Sequence, residues 1–143
     1  MALELKVYFT LASLLIIILL SGACSKCGSE WQDVLWKLKS YGPLDNLQAL
    51  VENTDITAQF DSNENRTTGS SGCNSYFADF IFNPSKCELE ISAIGATKKA
   101  CLESGVMQQE QKYFELLQNA ENIVVKGGEL TITSGTEVLI YVR

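Results

Sequence analysis

The sequence contains no histidine. That removes the usual general base near neutral pH, the usual activator of a serine or cysteine nucleophile, and the commonest zinc ligand. Basic residues are also scarce, with 11 Lys and Arg against 17 Asp and Glu, for a net charge of −6. Apart from the pair Lys98 and Lys99 they are scattered. An acidic domain repels phosphate backbones and anionic head groups, which argues against nucleic acid as a partner. Low charge density with many apolar residues argues against disorder. There are only two prolines, Pro43 and Pro84, with no long repeat and no low-complexity linker to divide the chain. No nucleophile motif and no cofactor motif is present, so the expectation is a protein that is not an enzyme and needs no cofactor or metal.

What is present begins at the N-terminus. Lys6 is followed by an apolar run from Val7 to Leu20, then Ser21-Gly22-Ala23-Cys24. A basic start, an apolar stretch and small residues before a cleavage point describe an export signal over residues 1–23. Small residues directly before a cysteine are the pattern of a bacterial lipoprotein signal, in which the thiol receives a diacylglycerol and becomes residue one. The aliphatic residue usual three places before the cysteine is replaced by Ser21, with Leu20 one step further back. Cleavage without lipid, giving a secreted domain, is the second reading. A retained anchor is the third, since Val7 to Ala23 is near the lower length for a membrane span. Removing the signal leaves about 120 residues, enough for one domain with a real core.

The five cysteines are Cys24, Cys27, Cys73, Cys87 and Cys101. An odd count is awkward for an exported protein, and lipid on Cys24 leaves four that can pair fully. Cys24 and Cys27 form C-x-x-C, but no thioredoxin-like strand and helix pattern surrounds them. A four-cysteine zinc site normally draws on two close pairs, which Cys27, Cys73, Cys87 and Cys101 do not form, so disulfides are expected. Four cysteines allow three connectivities, and spacing does not choose among them.

Residues 24–33 read as a tether and 34–143 as the domain. Val34 to Tyr41 alternates, with Trp36 and Leu38 on one face, and Gly42-Pro43 stops it. Leu44 to Glu52 is ambiguous between a helical turn and a loop. Asp55 to Asp61 reads as a second strand. Asn65-Arg66-Thr67 is a glycosylation sequon that is a chance match in a bacterial protein. Thr67 to Phe82 is a long β-like stretch broken by Gly69 and Gly72, with Tyr76, Ala78 and Phe80 facing one way. Lys86 to Ile91 returns. Ser104 is expected to cap a helix to residue 120, with Val106, Met107, Tyr113, Phe114, Leu117 and Ala120 on its buried face and Gln108, Gln109, Gln111, Lys112 and Glu115 mostly outside. Gly127-Gly128 marks a tight hairpin between 122–126 and 129–133, and Glu137 to Val142 is the last strand. The expected class is α+β: a strongly bent antiparallel sheet or open barrel of about seven strands packed on one main helix.

Several short motifs in order resemble the META domain family, also called HslJ-like. They are Trp36-Lys37-Leu38, Phe60, Gly72-Cys73-Asn74-Ser75-Tyr76, Thr97-Lys98-Lys99-Ala100-Cys101 and Met107-Gln108-Gln109-Glu110 followed by Tyr113. Ala78 stands where the family often has glycine, and Lys99 where it often has methionine, so Lys99 is expected to point outward. The resemblance implies a β-rich domain packed on a helix, commonly carried by bacterial envelope lipoproteins. It implies no established catalytic residue, and an association with heat-shock expression and drug resistance. Within that pattern Cys73 and Cys101 are read as a structural disulfide, a loop closure of a size that stabilises by ~3.5 kcal/mol. Cys27 and Cys87 are then the remaining pair.

The other singled-out residues have bland roles. Asn74 is expected to satisfy backbone groups in a turn, and Glu110 to be solvated or bonded to the sheet. Tyr76, Phe80, Tyr113 and Phe114 are expected in the core. The function expected is a non-catalytic envelope protein, held to the membrane by lipid on Cys24 and assisting envelope stress tolerance or assembly with an unidentified envelope protein. Binding of a small apolar ligand or lipid is the alternative.

Overall fold

The computed structural model describes residues 27–143. The expected signal at 1–23 and the expected lipid site at Cys24 lie outside the described residues. In chain order the elements are β1 (Leu35–Pro43), β2 (Gln48–Ala49), β3 (Thr57–Asp61), β4 (Arg66–Ser70), β5 (Ser75–Asn83), β6 (Glu88–Ile91), β7 (Gly95–Ala96), α1 (Val106–Gln118), β8 (Asn122–Lys126), β9 (Glu129–Ser134) and β10 (Glu137–Val142).

Alternation sets the inner face of the sheet, because successive side chains on a strand point to opposite sides. In β5, Tyr76, Ala78 and Phe80 are buried while Phe77, Asp79 and Ile81 are exposed. In β9, Leu130 and Ile132 are fully buried and alternate with half-buried Glu129, Thr131 and Thr133. Gly127 and Gly128 hold φ angles of 61° and 80°, which a two-residue hairpin turn between β8 and β9 requires.

The strands close into a ring: β1, β3, β4, β5, β6, β8, β9 and β10, with β10 returning to β1 from Lys37↔Val142 to Pro43↔Glu137. Each neighbour pair is antiparallel. The two-residue strands β2 and β7 hang on the rim, on β1 and β5. An α+β barrel on one helix therefore matches the expectation, but the barrel is closed, and its strands outnumber the seven expected. Two physical reasons account for this. The stretch from Thr67 to Phe82 folds back on itself at residues 71–74 to make β4 and β5. The last strand also satisfies the open edge of the first, which an exposed barrel edge would leave unpaired. β1 accommodates the closure by a bulge between Leu38 and Ser40, and Lys39 at the bulge pairs with Glu129 at 3.1 Å.

Gly69 permits the close approach of β4 to β3. A Cβ there would run into the backbone carbonyl of Thr57 and the ring of Tyr76. The weakest seam lies between β6 and β8, which share the single pair Glu88↔Asn122. Bonds from Leu89 N to Glu121 O and from Ile123 N to Cys87 O, both 2.9 Å, complete it. The seam is thin because α1 is inserted in the chain just before β8.

Part of the expected tether belongs to the barrel. Trp31 is 1% exposed and meets Phe60, Phe80 and Phe82 with ring centroids 4.9–5.5 Å apart. Its carbonyl accepts from the Trp36 indole at 2.8 Å, and Asp33 N donates to Phe60 O at 2.8 Å. The polar look of residues 25–30 concealed this contact, which buries a large aromatic surface against Phe60 of β3 and Phe80 and Phe82 of β5.

Candidate functional site

α1 lies against β6, β9 and β10. Ser104 is not its cap. The helix starts from Gly105 in the left-handed region at φ 87°, with no side-chain cap. The buried face also differs from the one read by periodicity. Gln109 and Glu110 are buried at 2% and 6%, whereas Met107 is 41% exposed. Leu116 joins Val106, Tyr113 and Leu117 inside. The helix turns two polar residues inward because neighbouring loops offer them partners that no apolar side chain could satisfy.

Glu110 is the centre of this arrangement. One carboxylate oxygen accepts from the Asn74 backbone N–H at 3.1 Å and from the Ser71 hydroxyl; the other accepts from Asn74 Nδ2 at 2.8 Å. The Ser71 hydroxyl also lies 2.8 Å from the Asn74 carbonyl, but that carbonyl already receives Ser71 N–H at 2.8 Å. The single hydroxyl proton therefore goes to the charged acceptor, the stronger of the two. Asn74 is fully used. Its Oδ1 accepts from Thr97 Oγ1 at 2.8 Å and Lys99 N at 2.7 Å, and its Nδ2 also reaches Lys99 O at 3.4 Å. Cys73 and Cys101 close over the same junction as a disulfide, with Cα atoms 6.1 Å apart. Turn 71–74, segment 97–101 and the helix are thus joined by one covalent bond and one polar cluster.

Amide side chains fasten both ends of α1. Gln109 Oε1 accepts from Val51 N at 2.6 Å, and its Nε2 donates to Thr54 Oγ1 at 3.0 Å. Gln118 Nε2 donates to Ile91 O and Ser92 O at 2.9 and 2.8 Å. Three tyrosine hydroxyls, Tyr113 of α1 and Tyr76 and Tyr141 of the sheet, form a chain: Tyr141 donates to Tyr113 at 3.1 Å, and Tyr76 donates to Thr57 O at 3.0 Å, which leaves Tyr113 to donate to Tyr76 at 2.7 Å. Burial pushes the Tyr76 hydroxyl up to about 12 and holds Tyr113 and Tyr141 well above the ordinary value.

The structure brings together Gly72, Asn74, Tyr76, Thr97 and Glu110 of the expected motif residues, with Cys73 and Cys101. Trp36 and Leu38 lie in the barrel core, and Met107 faces outward beside Phe114. Lys99 is exposed, as its charge predicts. Cys27 pairs with Cys87, Cα atoms 5.5 Å apart, at the thin seam. Among the described residues no group of three or more acids and cysteines is placed to hold a metal. Ser71, Gln109 and Trp31 were missed. Ser71 had a signal in its place between Gly69 and Gly72, and Trp31 in being a large aromatic within a polar stretch.

The geometry defines a closed antiparallel barrel with one helix latched across it by a buried carboxylate. Residues 29–143 match the META domain family, and the chain belongs to that family. The fold is similar to an NMR structure of a protein from Burkholderia xenovorans, at TM-score 0.66 and 21% identity over 79% of this chain and 83% of that one. A second NMR structure of a protein is similar at TM-score 0.59 and 15% identity, over 78% and 90%. A crystal structure of a DUF4847 family protein from Bacteroides vulgatus is similar at TM-score 0.57 and 12% identity, over 79% and 94%. These likenesses bear on the fold alone. No curated protein matches the chain.

Proposed function

We propose that the protein is a non-catalytic, lipid-anchored component of a bacterial cell envelope, carrying lipid on Cys24 and serving envelope stress tolerance or assembly. The observation that carries this reading is the cysteine pairing. Cys27 with Cys87 and Cys73 with Cys101 use four of the five cysteines, and the fifth is the one that follows Ser21-Gly22-Ala23. Two disulfides suit an oxidising compartment outside the cytoplasm. The Cys27–Cys87 bond also fixes the chain three residues after Cys24, a span of at most about 10 Å, so an anchor there would hold the domain close to a membrane surface.

The non-catalytic reading is supported by how the polar groups are spent. Both oxygens of Glu110 are occupied by Ser71 and Asn74, and the tyrosine hydroxyls bond to one another and to Thr57 O. Such a cluster rigidifies a fold and leaves little to act on a substrate. Intact mass of the protein extracted from membranes tests the anchor: a diacylglyceryl group on Cys24 is expected, and an unmodified Cys24 in the mature chain would sink it. Pull-down of the lipidated protein from intact envelopes tests the role. Enrichment of an envelope component over that seen with an unrelated lipoprotein is expected, and no enrichment removes the assembly reading.

A further inference from the structure

The two disulfides differ in what else holds their cysteines together. Cys73 adjoins Asn74, whose Oδ1 accepts from Thr97 Oγ1 at 2.8 Å and Lys99 N at 2.7 Å. The chain leading to Cys101 is therefore kept beside Cys73 by bonds other than the sulfur bridge. Cys27 has no such second tie. Gly28, Ser29 and Glu30 are exposed, and among the described residues their one hydrogen bond is local, from Gln32 N to Ser29 O at 3.0 Å. A groove of about 340 Å³, lined by Cys27, Gly28, Glu30, Trp31 and residues 123–126, borders the segment on its β8 side, so open space and not packing lies there. The next firm hold is Trp31, which is 1% exposed and followed by the bond from Asp33 N to Phe60 O.

A disulfide resists reduction to the extent that the folded chain keeps its two thiols together once they are free, which is a matter of effective concentration. Cys73 and Cys101 stay close when reduced, and rebonding is favoured. Cys27 is carried away from Cys87 by a segment with nothing else to hold it. Cys27 and Cys87 are also half-buried and not sealed in the core.

We propose that Cys27–Cys87 is a reducible clasp, opened by a dithiol of the thioredoxin class, that moves the point at which the N-terminal chain is tied to the barrel from Cys27 to Trp31. One thiolate of the dithiol attacks a sulfur of the bridge, forming a mixed disulfide and releasing the other cysteine as a thiolate that takes up a proton. The second thiol of the reductant then displaces the mixed disulfide. Two electrons pass to Cys27 and Cys87, and the reductant leaves as a disulfide. The freed stretch adds up to about 14 Å of reach to the N-terminal chain. An anchor on Cys24, as read above, would then hold the barrel on a longer leash, but the clasp itself does not depend on that anchor.

The test uses the full-length protein, labelled with nitrogen-15 and equilibrated with mixtures of reduced and oxidised dithiothreitol. Acid quenching, maleimide labelling and peptide mapping read each cysteine pair separately. The equilibrium constant for reduction of Cys27–Cys87 is expected to exceed that of Cys73–Cys101 by at least tenfold. Where only Cys27–Cys87 is open, the heteronuclear relaxation of the Gly28, Ser29 and Glu30 amides is expected to become that of mobile chain, while the Trp31 indole signal and the β9 amides stay as in the oxidised protein. The Cys27→Ser, Cys87→Ser protein is expected to show the same mobile amides without reductant. Reduction of Cys73–Cys101 at the same or a lower dithiothreitol ratio would overturn the proposal. So would amides 28–30 that stay ordered after the bridge is cut, or loss of the Trp31 and β9 signals along with it, since the chain would then be held by other contacts or the bridge would be a staple of the whole fold.

Discussion

Asn74 gives Glu110 two hydrogen bonds, one from its backbone N–H at 3.1 Å and one from its side-chain amide at 2.8 Å. The two residues are 36 positions apart, and the contact is buried. Through it the turn between β4 and β5 is bonded to the helix, and through Asn74 Oδ1 the same helix is bonded to segment 97–99.

This pair should be strongly coupled. Glu110→Ala leaves the Ser71 hydroxyl and two Asn74 donors without their charged acceptor, and is expected to cost about 3 kcal/mol or more. Glu110→Gln keeps the shape but directs an N–H₂ at donors, and should cost about half as much. Asn74→Ala is expected to cost about 2–3 kcal/mol, and the double variant Glu110→Ala with Asn74→Ala to show a coupling of about 1–3 kcal/mol. Urea denaturation with an unchanged slope measures all four. Additive losses, or a Glu110→Ala loss below about 0.5 kcal/mol, would show that the latch is ornamental.

Much of the barrel was legible because it depends on short-range patterns. Tyr76, Ala78 and Phe80 alternate, and Gly127-Gly128 supplies the angles of a hairpin, so those strands and that turn could be read directly. The motif residues that meet at the helix were also recognisable as a set, since Asn74, Thr97 and Glu110 occur in the family's order. What local pattern could not show was which helix face would turn inward. Gln109 and Glu110 look solvent-facing until Val51, Thr54, Ser71 and Asn74 are brought beside them by the barrel. Ser104 looked like a cap because caps are recognised by side chain, whereas Gly105 starts this helix by backbone conformation. Closure of β10 on β1 joins the two ends of the domain, and no local signal reports it.

The tyrosine chain makes stability depend on alkaline pH. Tyr76, Tyr113 and Tyr141 are held neutral by burial, with Tyr76 raised to about 12 from an ordinary 10. An acid whose folded value lies above its unfolded value binds its proton more tightly when folded, so its contribution is intact below pH 10 and is lost as pH rises through the folded value. For Tyr76 alone the loss by pH 12 is about 2–3 kcal/mol. Tyrosinate absorbance and near-ultraviolet circular dichroism are therefore expected to change in one joint transition above pH 10. Ionisation of these three residues near pH 10 in a protein that keeps its tertiary signal would contradict the buried chain.

The two disulfides should differ in what they protect. Cys73–Cys101 spans 28 positions and lies over a junction already fastened by Glu110 and Asn74. Removing it with paired alanines is expected to cost ~3.5 kcal/mol, spread over the whole fold. Cys27–Cys87 spans 60 positions, for which the same chain-entropy estimate gives ~4 kcal/mol, but its position matters more than its loop. Cys87 sits at the seam where β6 and β8 share one residue pair, and its own carbonyl accepts from Ile123 N. With so few bonds there, the seam is the natural place for local opening at a free energy below that of global unfolding. In the Cys27→Ala, Cys87→Ala protein the amides of Leu89 and Ile123 should lose hydrogen-exchange protection well before those of β9. In the Cys73→Ala, Cys101→Ala protein all core amides should lose protection together. Equal, uniform loss in both proteins would mean that β6 and β8 are held by packing alone and that Cys27–Cys87 does not secure the seam.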